Sequence, residues 1–149
     1  ETQLIATGDV AEGAILGTDG TFWAGKGEGF EPMQVYKATI MQDDGSEVEV
    51  QIDESSNVAS YATTGEKPNG GVRLGNTKYL PVNKDVDEET GIPSYYLRRM
   101  DAAKKGGACV CKSQSAVIVG VWFQDAGQSA FACNQRCFTL AKYLSENGM

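Results

Sequence analysis

The last third of the chain carries the plainest hydrophobic patterning. Residues 116–123, Ala-Val-Ile-Val-Gly-Val-Trp-Phe, hold no charge and are mostly β-branched or aromatic, and polar residues bound them at 112–115 and 124–127. Such a run predicts a strand buried on both faces. Beyond it, Ala130, Cys133, Cys137, Leu140, Ala141 and Leu144 recur at three- and four-residue spacing, which predicts a helix with one stripe against a core. At about 100° per residue, Phe131 and Phe138 project well away from that stripe, with Asn134 and Lys142 near them, while Tyr143 and Arg136 fall on the opposite flank. One buried stripe and two decorated flanks imply a small scaffold holding two different partners.

Upstream, the pattern is one of short strands and turns. Residues 1–6 read as the tail of a helix ended by Thr7-Gly8-Asp9, and 14–17 and 21–24 as a hairpin joined by Thr18-Asp19-Gly20, because Asp-Gly between apolar runs favours a tight turn. The glycines of 25–29 predict a loop, and 30–40 a short helix entered near Pro32. Alternation over 48–52 predicts a half-exposed strand, and Ser55 or Ser56 caps a short helix through Ala62. A loop over 65–71 leads to a second hairpin, 72–74 and 77–82, around Gly75-Asn76. Residues 84–91 read as a solvated acidic loop, 94–100 as a strand, and Gly106-Gly107 leads into a strand holding Cys109. The sum is one α+β domain over 1–149, with about six or seven mostly antiparallel strands and helices at both ends. Neither an internal repeat nor a dividing linker is apparent.

Charge and chemistry narrow the function. Thirteen basic against 20 acidic residues give a net charge of -7 and a pI near 4.6, which argues against nucleic acid and against general attraction to anionic membranes. The longest apolar run falls far short of the roughly 20 residues of a membrane helix, and no charged leader precedes an apolar segment, so neither a membrane span nor export is expected. The chain has no His, the commonest general base. Its glycines match neither a phosphate-binding nor a dinucleotide-binding loop. Asp43, Asp44, Asp85, Asp87, Glu88 and Glu89 lack the spaced loop of an EF-hand. Catalysis, a cofactor and a bound metal are therefore not expected. The four cysteines leave two readings open. Cys109 and Cys111 share one strand face, and Cys133 and Cys137 lie on the helix stripe, so they form either a packed interface of small apolar side chains or a thiol or zinc site.

An ordered set of segments resembles the profilins, small actin-monomer-binding proteins. It comprises 14–17 with 19–24, then 71–79 (Gly-Val-Arg-Leu-Gly-Asn-Thr-Lys-Tyr), then 104–108 (Lys-Lys-Gly-Gly-Ala), the strand 116–121 and the ending 140–149. The longer acidic middle, 42–66, and the 85–91 insertion are more similar to profilins of ciliates and their apicomplexan relatives than to plant or animal forms. The resemblance implies a central antiparallel sheet with the N- and C-terminal helices packed on one face and short helices on the other. It implies binding of monomeric actin through positions matching Lys78, Leu80, Asn83, Asn134, Arg136 and Phe138, with Arg98 or Arg99, a face that the exposed Phe131 fits. It implies binding of proline-rich peptides of elongation factors such as formins, with Trp23, Tyr143, Leu144 and Met149 at the matching positions; aromatic walls suit a preformed polyproline II helix. The aromatic residues that family members carry in the first helix are missing here, and that helix is expected to be truncated. Arg98, Arg99, Lys104 and Lys105 match the basic positions through which some profilins bind phosphoinositides, weakly here given the net charge. The expected place of action is the cytoplasm and cytoskeleton. The alternatives are a small-ligand sensor built on a similar sheet and a thiol or zinc protein.

Overall fold

A computed structural model describes residues 12–18, 22–26, 35–41, 44–65, 72–74, 77–100 and 105–148. Nine strands and two α-helices follow in the order β1 (Glu12–Gly17), β2 (Phe22–Lys26), β3 (Val35–Met41), β4 (Glu47–Asp53), α1 (Glu54–Thr64), β5 (Val72–Leu74), β6 (Thr77–Val86), β7 (Pro93–Arg99), β8 (Gly106–Lys112), β9 (Ala116–Phe123) and α2 (Ala130–Glu146). Seven strands form one sheet in the order β2-β1-β9-β8-β7-β6-β5, and β3 and β4 form a separate ribbon. Every pairing is antiparallel.

The central strands explain why the closing run is apolar throughout. Successive side chains of a strand point to opposite faces, and both faces of β9 are covered. Val117, Val119 and Val121 pack with Val58 and Tyr61 of α1 in one core layer. Ala116 and Ile118 pack with Cys109, Cys111 and the α2 stripe in the other. Of that stripe, Cys133, Cys137, Leu140, Ala141 and Leu144 are buried, as the spacing predicts. The two helices thus lie on opposite faces, which agrees with the expected architecture; the helix expected over residues 1–6 lies outside the described residues.

Three expectations fail; in one, α1 already begins at Glu54, so Ser55 and Ser56 lie within its first turn and do not cap it. Residues 30–34 lie outside the described residues, but Val35–Met41 is a strand, not a helix, paired with β4 from Val35↔Asp53 to Met41↔Glu47. Val35, Tyr36, Thr39 and Ile40 are residue types of high strand propensity, and backbone pairing with β4 outweighs the helix-start signal of Pro32. The acidic segment 84–91 is not loop throughout either. β6 continues to Val86, with Lys84↔Tyr95, Asp85↔Ser94 and Val86↔Pro93 in register, so only the tip is a turn. Ladder hydrogen bonds belong to the backbone and extend through charged side chains as long as those face water. Gly91, at φ +74, closes the tip by donating its N–H to the Asp87 carbonyl at 2.8 Å.

β8 begins with a close approach. A Cβ on Gly106 would strike the Trp122 carbonyl oxygen, and one on Gly107 the Leu97 carbonyl oxygen, so this entry to the central sheet demands glycine. Among the described residues, no helix is long and apolar enough to cross a membrane.

Candidate functional site

α2 positions the candidate side chains, and its start is set by a cap. Ser129 has extended backbone and its Oγ accepts the Ala132 N–H at 3.2 Å. The preceding turn, Gln124–Ala126, ends at Gly127 with φ +74, and the Gln128 side chain accepts the Phe123 N–H at 2.9 Å. α2 is thus fixed at the end of β9 before its first exposed residue.

Phe131 projects into solvent at 76% exposure, as its phase predicts. Phe138 differs: it is mostly buried and packs against the core layer beneath α2. Asn134, between them, is held at both ends. Its Nδ2 donates to the Tyr96 hydroxyl of β7 at 2.9 Å, and its Oδ1 accepts from Cys111 Sγ at 3.5 Å. Burial raises the Tyr96 pKa above its ordinary value, with the Cys109 thiol and the nearby Asp85 adding to the effect. These residues line a hollow of about 240 Å³ with Asp85, Asp87, Ser94 and Gln135.

The sheet edge beside this flank presents the other candidates. Leu80 pairs with Arg98 and Asn83 with Tyr96, and paired residues share a face. Strict alternation would put residues 80 and 83 on opposite faces. A register shift between Pro81 and Asn83 changes the parity, so both lie on the face covered by α2. Pro81 lacks the N–H that a continuous ladder needs, which favours the irregularity there. Lys78 is placed by its backbone opposite Arg73.

Arg98 and Arg99 separate. Arg98 is exposed on the α2 face, whereas Arg99 is on the other, where it donates to the Tyr79 hydroxyl at 2.9 Å and its guanidinium lies 5.2 Å from the Phe123 ring centre. Arg98, Arg99 and Lys105 border a second hollow of about 440 Å³ beside Trp122; Lys104 lies outside the described residues. Arg136 is exposed, but at about 200° from Phe138 and about 20° from Tyr143 it belongs to the other flank.

That other flank carries Tyr143, 53% exposed. It lies about 180° round α2 from Asn134; since Asn134 reaches β7, Tyr143 looks toward the β1–β2 side of the sheet. Trp23 is on β2, between the registered pairs Leu16↔Phe22 and Ile15↔Ala24. Leu144 is largely buried in the core layer with Cys137 and Leu140, at 9% exposure. Met149 lies outside the described residues.

The cysteines form a packed interface. All four are free and buried. Cys109 Sγ donates to the Ala130 carbonyl at 3.5 Å, and Cys137 Sγ donates to the Cys109 carbonyl at 3.9 Å. Among the described residues, no group of three or more His, Cys, Asp or Glu is arranged to hold a metal ion.

The sequence profile of the family described as Profilin matches residues 1–149. The chain belongs to the profilin family. No curated relative matches by sequence. Among solved structures, this profilin is similar to Acanthamoeba castellanii profilin IB, with a TM-score of 0.63 and 19% identity over 99% of this chain and 94% of that one. Acanthamoeba castellanii profilin II gives a TM-score of 0.63 at 20% identity, with the same coverage. Mouse profilin IIa, solved in complex with a double repeat from the FH1 domain of mDia1, gives 0.67 at 15% identity over 99% and 95% of the two chains. At such identities the likeness shows the fold.

Tyr96, Asp85 and Asp87 join the site although the residue pattern did not single them out for it. For Tyr96 a signal was present, since it lies two residues before Arg98 on one strand and shares its face.

Proposed function

We propose that this profilin binds monomeric actin on the Phe131–Asn134–Phe138 flank of α2 and the adjoining sheet edge, and proline-rich segments of elongation factors such as formins on the Tyr143 flank. It acts without catalysis, in the cytoplasm, as a regulator of actin polymerisation. Family membership over the whole chain supports this reading, and one observation carries the division of labour: α2 buries a single stripe and exposes Phe131 and Tyr143 on two flanks about 120° apart. Leu80, Asn83 and Arg98 extend the first flank; Arg99, turned to the other face, braces Tyr79 and Phe123. Trp23 and Met149 match the family's remaining positions for that ligand. A phosphoinositide headgroup would bind, weakly, in the hollow beside Arg98 and Lys105.

The test is binding of monomeric actin and of a proline-rich peptide to wild type, Phe131→Ala and Tyr143→Ala. Phe131→Ala weakens actin binding and spares the peptide, and Tyr143→Ala does the reverse. Wild-type affinity weaker than tens of micromolar for actin, a weak-binding limit of roughly -6 kcal/mol, would falsify the actin assignment; parallel loss of both ligands by either variant would refute the two flanks.

A further inference from the structure

We propose that the hollow between the β6–β7 turn and the first turns of α2 takes a lysine or arginine side chain of the bound actin monomer. This rests on the actin reading above and names the chemistry of the contact. The hollow, about 240 Å³, is lined by two carboxylates, Asp85 and Asp87, and by aromatic rings, Phe131 and Phe138 from α2 and Tyr96 from β7. No Lys or Arg is among the described residues that line it.

Each wall is set by the fold. Asp85 pairs with Ser94, whose hydroxyl meets Cys111 Sγ at 3.4 Å beneath α2, so Asp85 stands on the same face as the helix. Asp87 is fixed by the turn: one carboxylate oxygen accepts the Thr90 N–H at 2.9 Å and the Thr90 hydroxyl at 2.7 Å. Those hydrogen bonds hold its pKa below the ordinary carboxylate value, with a smaller contribution from Lys142. Phe131 is exposed, so the aromatic lining is ready to be covered.

Such a notch discriminates between occupants. A purely apolar side chain would cover the rings but strip water from two carboxylates and leave them unpaired, which is costly. An anionic group would be repelled. A lysine or arginine satisfies both walls, since its aliphatic stem lies along Phe131 and Phe138 while the charged end meets the carboxylates and the ring faces.

The experiment measures binding of monomeric actin at about 0.05 M and about 0.3 M salt, between which screening of charge increases markedly. It compares wild type, Asp85→Asn, the pair Asp85→Asn with Asp87→Asn, and a control pair, Glu88→Gln with Glu89→Gln. The control removes the same charge from the same turn but outside the hollow. Asn at 87 keeps a side-chain oxygen for Thr90, so the turn persists; if it does not, Asp85→Asn alone decides. Expected are a loss of about tenfold at low salt for the Asp pair, about threefold for Asp85→Asn, a flattened salt dependence for both, and less than about twofold for the Glu pair. Equal losses for the Asp and Glu pairs would mean that only the general field of the turn matters, and the notch would be rejected. Unchanged binding by both Asp variants would reject it too while leaving the actin assignment standing. Failure of wild type to bind actin would remove both.

Discussion

Phe131 and Phe138 are seven residues apart on one helix, yet removing them has different consequences. Phe131 touches solvent over most of its surface, so Phe131→Ala should change stability by no more than about 0.5 kcal/mol. Phe138 fills the rim of the core layer under α2, and Phe138→Ala should cost about 1–3 kcal/mol, less than for a fully buried ring. Urea unfolding followed by tryptophan fluorescence separates the two, and a loss of actin binding by Phe131→Ala with an unshifted midpoint marks a contact residue. Phase alone put both rings outside the stripe; it could not show that the neighbouring sheet rises to meet one of them. Leu144 teaches the complement. Its place in the apolar stripe already implied burial, and the structure sets it in the core layer under α2. Arg99 could not be told from Arg98 by residue type, because only the strand register decides which faces α2.

At the scale of elements, α2 and β9 were legible because each buries a continuous pattern of the right period, 3.6 or unbroken. β3 was not, since β-branched residues behind a proline suit either a helix start or a strand until a partner strand is present. The shift at Pro81–Asn83 was also hidden, and it governs which residues of β6 reach the site. The cap of α2 has a measurable consequence. Ser129→Ala removes the acceptor for the Ala132 N–H and should cost about 1 kcal/mol. Because Phe131 is in the first turn and Asn134 follows in the next, fraying there should also weaken actin binding, while the Tyr143 flank near the other end keeps its peptide affinity. Equal loss at both flanks would show that the helix responds as one rigid unit.

At the scale of the molecule, buried groups that ionise with difficulty set the response to alkali. Burial pushes Cys111 up to about 12, and the neighbouring Cys133 thiol, together with burial, raises Cys109 as well. Burial likewise raises Tyr61 and Tyr79 to about 12. In the unfolded chain these groups lose protons from near their reference values of 9.0 and 10.0. Between those values and the folded ones, the unfolded state binds fewer protons, so stability falls as pH rises. The urea midpoint should hold steady from about pH 6 to 8 with respect to these groups, drop from about pH 9, and steepen above about pH 10, each group contributing up to about 1.4 kcal/mol per pH unit. A flat profile to pH 11 would show that the interface admits the thiolates.

The place of β1 in the sheet bears on how the chain is made. β1 lies between β2 and β9, and its residues meet partners about a hundred positions later, from Gly17↔Ala116 to Glu12↔Val121. Synthesis proceeds from the N-terminus, so the β1–β2 hairpin leaves the ribosome long before the strand that flanks its inner side exists. Throughout that interval its hydrogen-bonding edge is open to any other extended chain. β7, β8, β9 and α2 are contiguous in the chain, and β9 is the strand onto which the waiting hairpin docks. A ribosome stalled before β9 therefore holds a β1–β2 hairpin with one edge unpaired, and emergence of β9 supplies the strand that closes the sheet.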